Sequence, residues 1–291
     1  MLGQLVVNGI AAGGIYALLA VGFALIYNTT RVLHLAHSIV YTFGAYAFYS
    51  LTVLLGIWGW IGAPAAVVLA GIFGWSIEAF VYRPIRRSGA GHNATLIATL
   101  GLVSLFQGIY AFTFSTDNKM LRQGPLPIFQ VGSVTITLLH VAIIAITLMV
   151  FPVLQIFLTQ TRLGIAIRAL ADNRELAEIQ GMSTDRLYGV IFLLGSGLAG
   201  VAAVLMALDL GATPNMGFDV VFAAIVALVI GGIGYLPGAL IGAFTLGLVQ
   251  QLVVWQLDAA WQSGLVFSLL ILFLILRPQG FFGARMVTRR A

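Results

Sequence analysis

The sequence predicts an all-α, polytopic integral membrane protein with about eight to nine transmembrane helices, some of them broken or re-entrant. Three observations predict it. Of 291 residues, 60% are hydrophobic and only 8% are charged, where soluble domains carry roughly 25%. The mean hydropathy is +1.05. Apolar runs near the ~20 residues needed to cross a bilayer follow one another along the whole chain. No polar stretch is long enough for a separate globular domain, so residues 1–291 are expected to form one membrane body.

In chain order the predicted spans are Gln4–Asn28, Ile39–Ile57, Ile61–Tyr82, Ala94–Phe114, Val134–Leu158, Tyr188–Leu208, Val220–Val229 with a glycine-rich continuation, Ala239–Val254 and Trp261–Leu276. The first has no basic region before it and a longer apolar run than a secretory leader, so it is expected to stay as a helix. The seventh reaches Gly231-Gly232 too soon to cross upright. The loops Thr116–Val131 and Asp209–Asp219, with Gly124, Pro125, Pro127, Gly211, Pro214 and Gly217, are turn-rich. They read as connectors, lids or docking surfaces.

Loop charge sets orientation. The net charge is +5, and in so apolar a chain the surplus marks cytoplasmic loops rather than a nucleic-acid partner. Placing Arg31, the Arg83/Arg86/Arg87 cluster, Arg162 to Arg186 and the tail from Arg277 to Arg290 inside leaves Lys119 and Arg122 outside, 12 of 14 basic residues being cytoplasmic. That predicts a cytoplasmic C-terminus and, with nine crossings, an external N-terminus.

The spans exclude several mechanisms. Almost no ionisable side chain lies between the interfaces, which argues against an ion-coupled carrier, a pump or a voltage sensor acting alone. Glu78 lies close enough to the boundary to pair with Arg83 or Arg86, and His140, placed two turns into the fifth span, reads as hydrogen-bonded packing. There is no cysteine. His34 and His37, three apart and without a carboxylate beside them, make a poor metal site and suit interfacial hydrogen bonding near Arg31. The one lysine, Lys119, is not in a phosphate loop, and no Rossmann, HExxH or nucleophile-elbow pattern occurs. An intramembrane enzyme is disfavoured, no catalytic residue is assigned, and ATP hydrolysis, if used, must lie on another subunit.

The longest polar stretch is residues 161–187. Asn173 to Gln180 reads as a short helix with Asn173 or Asp172 as cap, Glu175 in its first turn and Gly181 as a left-handed stop. Leu176, Ile179 and Gln180 give it a narrow apolar edge. Such a helix either inserts into a groove on a cytoplasmic partner or is a solvated connector.

This loop and the following Leu198-Ala199-Gly200-Val201-Ala202-Ala203-Val204-Leu205 closely resemble the inner-membrane permease subunits of ABC importers for branched-chain amino acids. So do Asn8-Gly9-Ile10 through Leu18, Arg31-Val32-Leu33-His34-Leu35-Ala36-His37 with Gly44-Ala45-Tyr46, Gly231-Gly232-Ile233-Gly234-Tyr235-Leu236-Pro237-Gly238-Ala239, and the tail Leu276 to Gly283. Ser38 and Tyr235 depart from the family's small residues at those places. The resemblance implies a single transmembrane permease domain in a bacterial inner membrane, with residues 161–187 as the coupling loop. Ala171, Asp172, Asn173, Glu175, Ala177, Glu178 and Gly181 would meet the ATPase. The implied partners are a second homologous permease, two cytoplasmic ATPase subunits carrying ATP and Mg²⁺, and an extracytoplasmic solute-binding protein. This chain itself would bind no cofactor and no metal.

Asn8, Tyr16, Gly44, Gly231, Gly232, Gly234, Pro237 and Gly238 are the candidate translocation-path residues. Broken backbone in a bilayer is tolerated only against protein or a wet cavity, although tight turns and close helix packing also call for glycine. The Arg31–Tyr46 region and the glycine break form a candidate inverted repeat. The expected solute is a hydrophobic, branched-chain amino acid; urea, amides or sugars on the same architecture are the alternatives.

Overall fold

The computed structural model describes residues 2–121, 127–258, 260–277 and 279–282. Arg122, Gly124, Pro125, Pro278, Gly283, Arg285, Arg289 and Arg290 fall outside them.

Helix α1 (Leu2–Thr30) runs through the centre of the molecule and has buried residues along most of its length. Uniform apolarity around the helix is what a helix surrounded by other helices requires. It packs most extensively on α11 (Leu236–Gln256), α9 (Thr184–Leu210) and α10 (Met216–Gly231). The approach is close because glycines face each other. A Cβ built on Gly22 would stand 2.6 Å from the Gly195 carbonyl oxygen, and one on Gly13 would stand 2.8 Å from the Phe244 Cα. Without a hydrophobic drive between helices in lipid, such small-residue seams supply the dispersion contact that holds a bundle together.

Two re-entrant segments shape the interior. After α1 the chain turns at Arg31, a non-glycine residue at φ +56°, a backbone state that costs of order 1–3 kcal/mol. It then turns inward without helix, so that His34, Ala36 and His37 are wholly buried and α2 (His37–Tyr49) starts inside the bundle. The opposite dip follows α9. Gly211, Ala212 and Pro214 are buried, and α10 starts with Gly217 against the Ser38 carbonyl and the Thr42 hydroxyl of α2. At 1.5 Å per residue, the 16 residues of α10 cover roughly 24 Å and the 27 of α9 roughly 40 Å. The counterpart of the Arg31–Ala36 dip is therefore the segment 211–215, not the Gly231–Gly238 break proposed from sequence. That break is a turn in which Gly232 (φ +110°) and Gly234 (φ +99°) reverse the chain between α10 and α11.

The outer helices are α3 (Gly59–Ile77), which runs through a π-helical turn Glu78–Tyr82 into α4 (Arg83–Arg87), then α5 (His92–Phe114), α6 (Leu138–Gln160) and α12 (Trp261–Leu276). A second π-helical turn, Ser50–Leu54, ends α2. Six helices are long and apolar enough to cross a membrane, with α10 and α12 as shorter apolar helices; this is a multi-pass membrane protein. Val134 was expected to open the fifth span, but it belongs to a hairpin, β1 (Ile128–Val131) with β2 (Val134–Thr137). The β-branched Val134, Thr135, Ile136 and Thr137 favour extended backbone, and Gln4 locks the hairpin to α1 by hydrogen bonds to and from Thr135. His140 consequently lies in the first turn of α6 with its Nδ1 buried and unpaired, not two turns in and hydrogen-bonded.

The α1–α11 seam gives the first prediction. Gly247 faces the Gly9 and Gly13 backbone, so Gly247→Val should lower the thermal unfolding midpoint in detergent by an overpacking cost of about 1–3 kcal/mol. Gly101→Ala, with open space around it, should leave the midpoint in place.

Candidate functional site

At the arginine-rich end the polar stretch 161–187 folds as two helices. The first, α7 (Arg162–Asp172), was expected only as loop. Thr161 caps it by accepting from the Gly164 amide, and it buries Gly164, Ile167 and Leu170. Its apolar residues recur at helical spacing, and that signal was available in the sequence. The second, α8 (Arg174–Ile179), follows the expectation closely. Asn173 Oδ1 accepts from the Leu176 amide, Ala177 is buried, and Gly181 takes the left-handed conformation at φ +79°. Its apolar edge points away from the protein, with Leu176 56% and Ile179 81% exposed. Ala171 is half-buried, while Asp172, Glu175 and Glu178 are exposed. Arg174 donates to Glu178 at 2.8 Å and holds that carboxyl below the usual carboxylate range. The pair therefore supports α8 above the ordinary glutamate pKa and is lost as pH falls through the lowered one.

The start of α9, just beyond α8, is tied to the membrane body through charge. Arg86 donates to Glu78 at 2.7 Å and to Asp185 at 3.0 Å, while Arg87 donates to Asp185 at 2.6 Å and Arg83 to the Asp185 carbonyl at 3.0 Å. The Arg86 guanidinium lies 4.5 Å from the centre of the Tyr188 ring, and Arg174 lies 6.0 Å from the same centre. A route of contacts thus runs from α8 through Tyr188 and Arg86 to the π-helical turn at Glu78. Sequence reading paired Glu78 with an arginine correctly. Asp185 and Tyr188 were missed, because nothing in their local pattern announces a partner a hundred residues away.

Behind this clamp lies a buried polar string. His34 Nδ1 sits 2.8 Å from the Tyr82 hydroxyl, Tyr82 donates to Thr99 at 3.0 Å, and Thr99 accepts from the Ala36 amide at 2.9 Å. His34 and His37 are wholly buried with ring centres 5.5 Å apart, so neither is interfacial as expected. A π-helical turn widens a helix by one residue per turn and often marks function; here it delivers Glu78 and Tyr82 to two different polar partners. Among the described residues, no group of three or more His, Asp or Glu could hold a metal.

The translocation-path candidates scatter. Asn8 accepts from Gln4 on α1, and Gly44 packs on Gly200 and Ala203 of α9. Gly231 and Gly238 close on each other's backbone at the α10–α11 turn, where Tyr235 packs on Phe282. Gly234 and Pro237 do face open space, lining a cavity of about 540 Å³ at the arginine-rich end with Arg31, Arg168 and Asp172. Tyr16 lines a different cavity of about 300 Å³ toward the opposite end, together with Asp219, Gln250, Gln262 and Ser263.

With this geometry in hand, comparison with known proteins is direct. Residues 5–276 match the family described as branched-chain amino acid transport system / permease component. The chain belongs to that family. The high-affinity branched-chain amino acid transport system permease protein LivH of Escherichia coli K12 is 33% identical, over 96% of this chain and 95% of its own. The corresponding permease protein BraD of Pseudomonas aeruginosa is 31% identical over the same shares. A solved structure of PsaBC from Streptococcus pneumoniae in complex with Fab aligns with a TM-score of 0.47 at 14% identity, covering 94% of this chain and 90% of that one.

The clamp gives a second prediction. Arg86→Met removes the partner of a carboxylate with 0% side-chain exposure and should cost about 3–5 kcal/mol. Arg87→Met, at 69% exposure, should cost under about 1 kcal/mol. The two thermal unfolding midpoints in detergent check the difference.

Proposed function

We propose that the chain is one permease subunit of an ABC importer for branched-chain amino acids in a bacterial inner membrane, with its arginine-rich end and C-terminus cytoplasmic. Two ATPase subunits carry ATP and Mg²⁺ and drive it, a second homologous permease completes the path, and an extracytoplasmic binding protein delivers solute. The single observation that carries this is α8: a capped helix on the arginine-rich face, displaying Leu176 and Ile179 to solvent and anchored behind to the clamp. Exposed aliphatic side chains on a short rigid helix are suited to a partner's groove. The surplus of arginine on that face supports its cytoplasmic placement, and the names of the relatives support the solute.

In this reading ATPase closure pushes on α8. The load reaches α9 directly through the turn at Gly181 and Met182, and reaches α3 through Tyr188, Arg86 and Glu78. Because α9 lies flush on α1 at the Gly22–Gly195 contact, a tilt of α9 moves α1 with it. Nucleotide chemistry stays on the ATPases, and this chain contributes binding and motion.

The test is ATP-dependent leucine uptake in proteoliposomes holding the complete importer. Ile179→Arg should weaken ATPase attachment by at least about 2 kcal/mol, roughly thirtyfold, and abolish uptake. Glu175→Lys with Gly181→Val should reduce uptake similarly. Full uptake and normal co-purification of the ATPases in both variants would refute the docking role.

A further inference from the structure

The cavity beside Tyr16 has a composition that selects its occupant. It opens between α1, α9, α10, α11 and α12, and its volume of about 300 Å³ lies at the lower end of small-molecule pockets, roughly 300–1,000 Å³. Met206, Phe222, Val266 and Phe267 give it an apolar wall. Its polar groups are Tyr16, Thr213, Gln250, Gln262, Ser263 and one carboxylate, Asp219. Gln250 is 5% exposed, a carboxamide held inside a membrane body. Asp219 sits in the first turn of α10, exposed at the rim of the cavity.

We infer that this cavity is the halfway site for an α-amino acid, recognising the ammonium group through the Asp219 carboxylate and an aliphatic side chain through the apolar wall. The inference rests on the importer reading above and deepens it by placing the solute. Asp219 is the one charged side chain on the wall, with no lysine or arginine beside it, so the field at the cavity favours a cation and opposes an anion. A urea, amide or sugar carries no charge to meet it, and an anion would be repelled. A lone carboxylate also falls well short of the six or more oxygen ligands of a Ca²⁺-type site. The solute's own carboxylate finds donors in the carboxamides of Gln250 and Gln262 and in the positive end of the α10 dipole. Both halves of a zwitterion are thus matched by groups on the cavity lining, which also offers methionine and phenylalanine to the side chain.

The chain has no native cysteine, which makes the test direct. In the assembled importer in proteoliposomes, Ser263→Cys places a single thiol of this chain on the exposed part of the wall, and its rate of reaction with a small maleimide is followed. Leucine at roughly ten times its dissociation constant should slow labelling roughly tenfold, while 4-methylpentanoate, the same skeleton without the ammonium, should leave the rate unchanged. Adding Asp219→Asn should abolish the leucine protection, with Asp219→Glu restoring part of it. Assembly yield of each variant with its partners guards against misfolding, and Ser263→Trp, which fills the cavity from its rim, should stop leucine uptake without Asp219 being touched. Leucine uptake by the wild-type importer without protection of the thiol, or protection that survives Asp219→Asn, overturns this inference alone. Absence of leucine uptake by the wild-type importer overturns the solute reading and this inference with it.

Discussion

The contact between the backbones of α1, α9 and α11 governs the rest of the molecule. Helices in a bilayer gain no hydrophobic energy by meeting, since lipid tails are as apolar as leucine. What they gain is dispersion and close interlocking, and glycine lets backbone meet backbone. Gly22 against Gly195, and Gly9 and Gly13 against α11, draw three helices into one seam. Everything functional is arranged around that seam: the clamp at one end, the Tyr16 cavity on its flank and the two inward dips between its neighbours.

Those dips show how a membrane protein can hold non-helical backbone. The segments 31–36 and 211–215 would strand polar groups in lipid, so both are enclosed by helices. Thr99 answers the Ala36 amide, and an isolated antiparallel bridge joins Ala212 to Lys119. Each dip lets the next helix begin at depth, and α2 and α10 meet there at Gly217. The left-handed Arg31 is a local cost of that layout.

The proposed docking helix and the proposed solute cavity lie toward opposite ends of α9. The α9 helix carries Asp185 and Tyr188 in the clamp at its start, Gly195 in the seam, and Met206 on the cavity wall. In the proposed importer, a load applied at α8 would pass along α9 toward the proposed solute cavity. The buried histidines lie beside that path without entering it. Nε2 of His34, both ring nitrogens of His37, and the hydroxyls of Tyr41 on α2 and Ser196 on α9 are buried without a hydrogen-bond partner, which marks a polar interior with room in its hydrogen bonding.

Composition and order fixed in advance the all-helical membrane architecture, the sites of the helices, the arginine-rich face and the cap-to-stop design of α8, because these depend on periodicity, residue type and interactions spanning a few residues. Asn173 as cap and Gly181 as stop are legible for that reason. The fold of 161–172 as an amphipathic helix was legible too and was overlooked in favour of its charges. Other features needed tertiary structure. The Asp185 and Tyr188 contacts span about a hundred residues, the counterpart of the first dip was 211–215 rather than the more conspicuous glycine run, and Asp219 joins Tyr16 and Gln250 only once α10 starts inside. Sequence determines which groups are available and what each helix must bury; depth and proximity belong to packing, because only the assembled helices decide which polar side chains share a cavity.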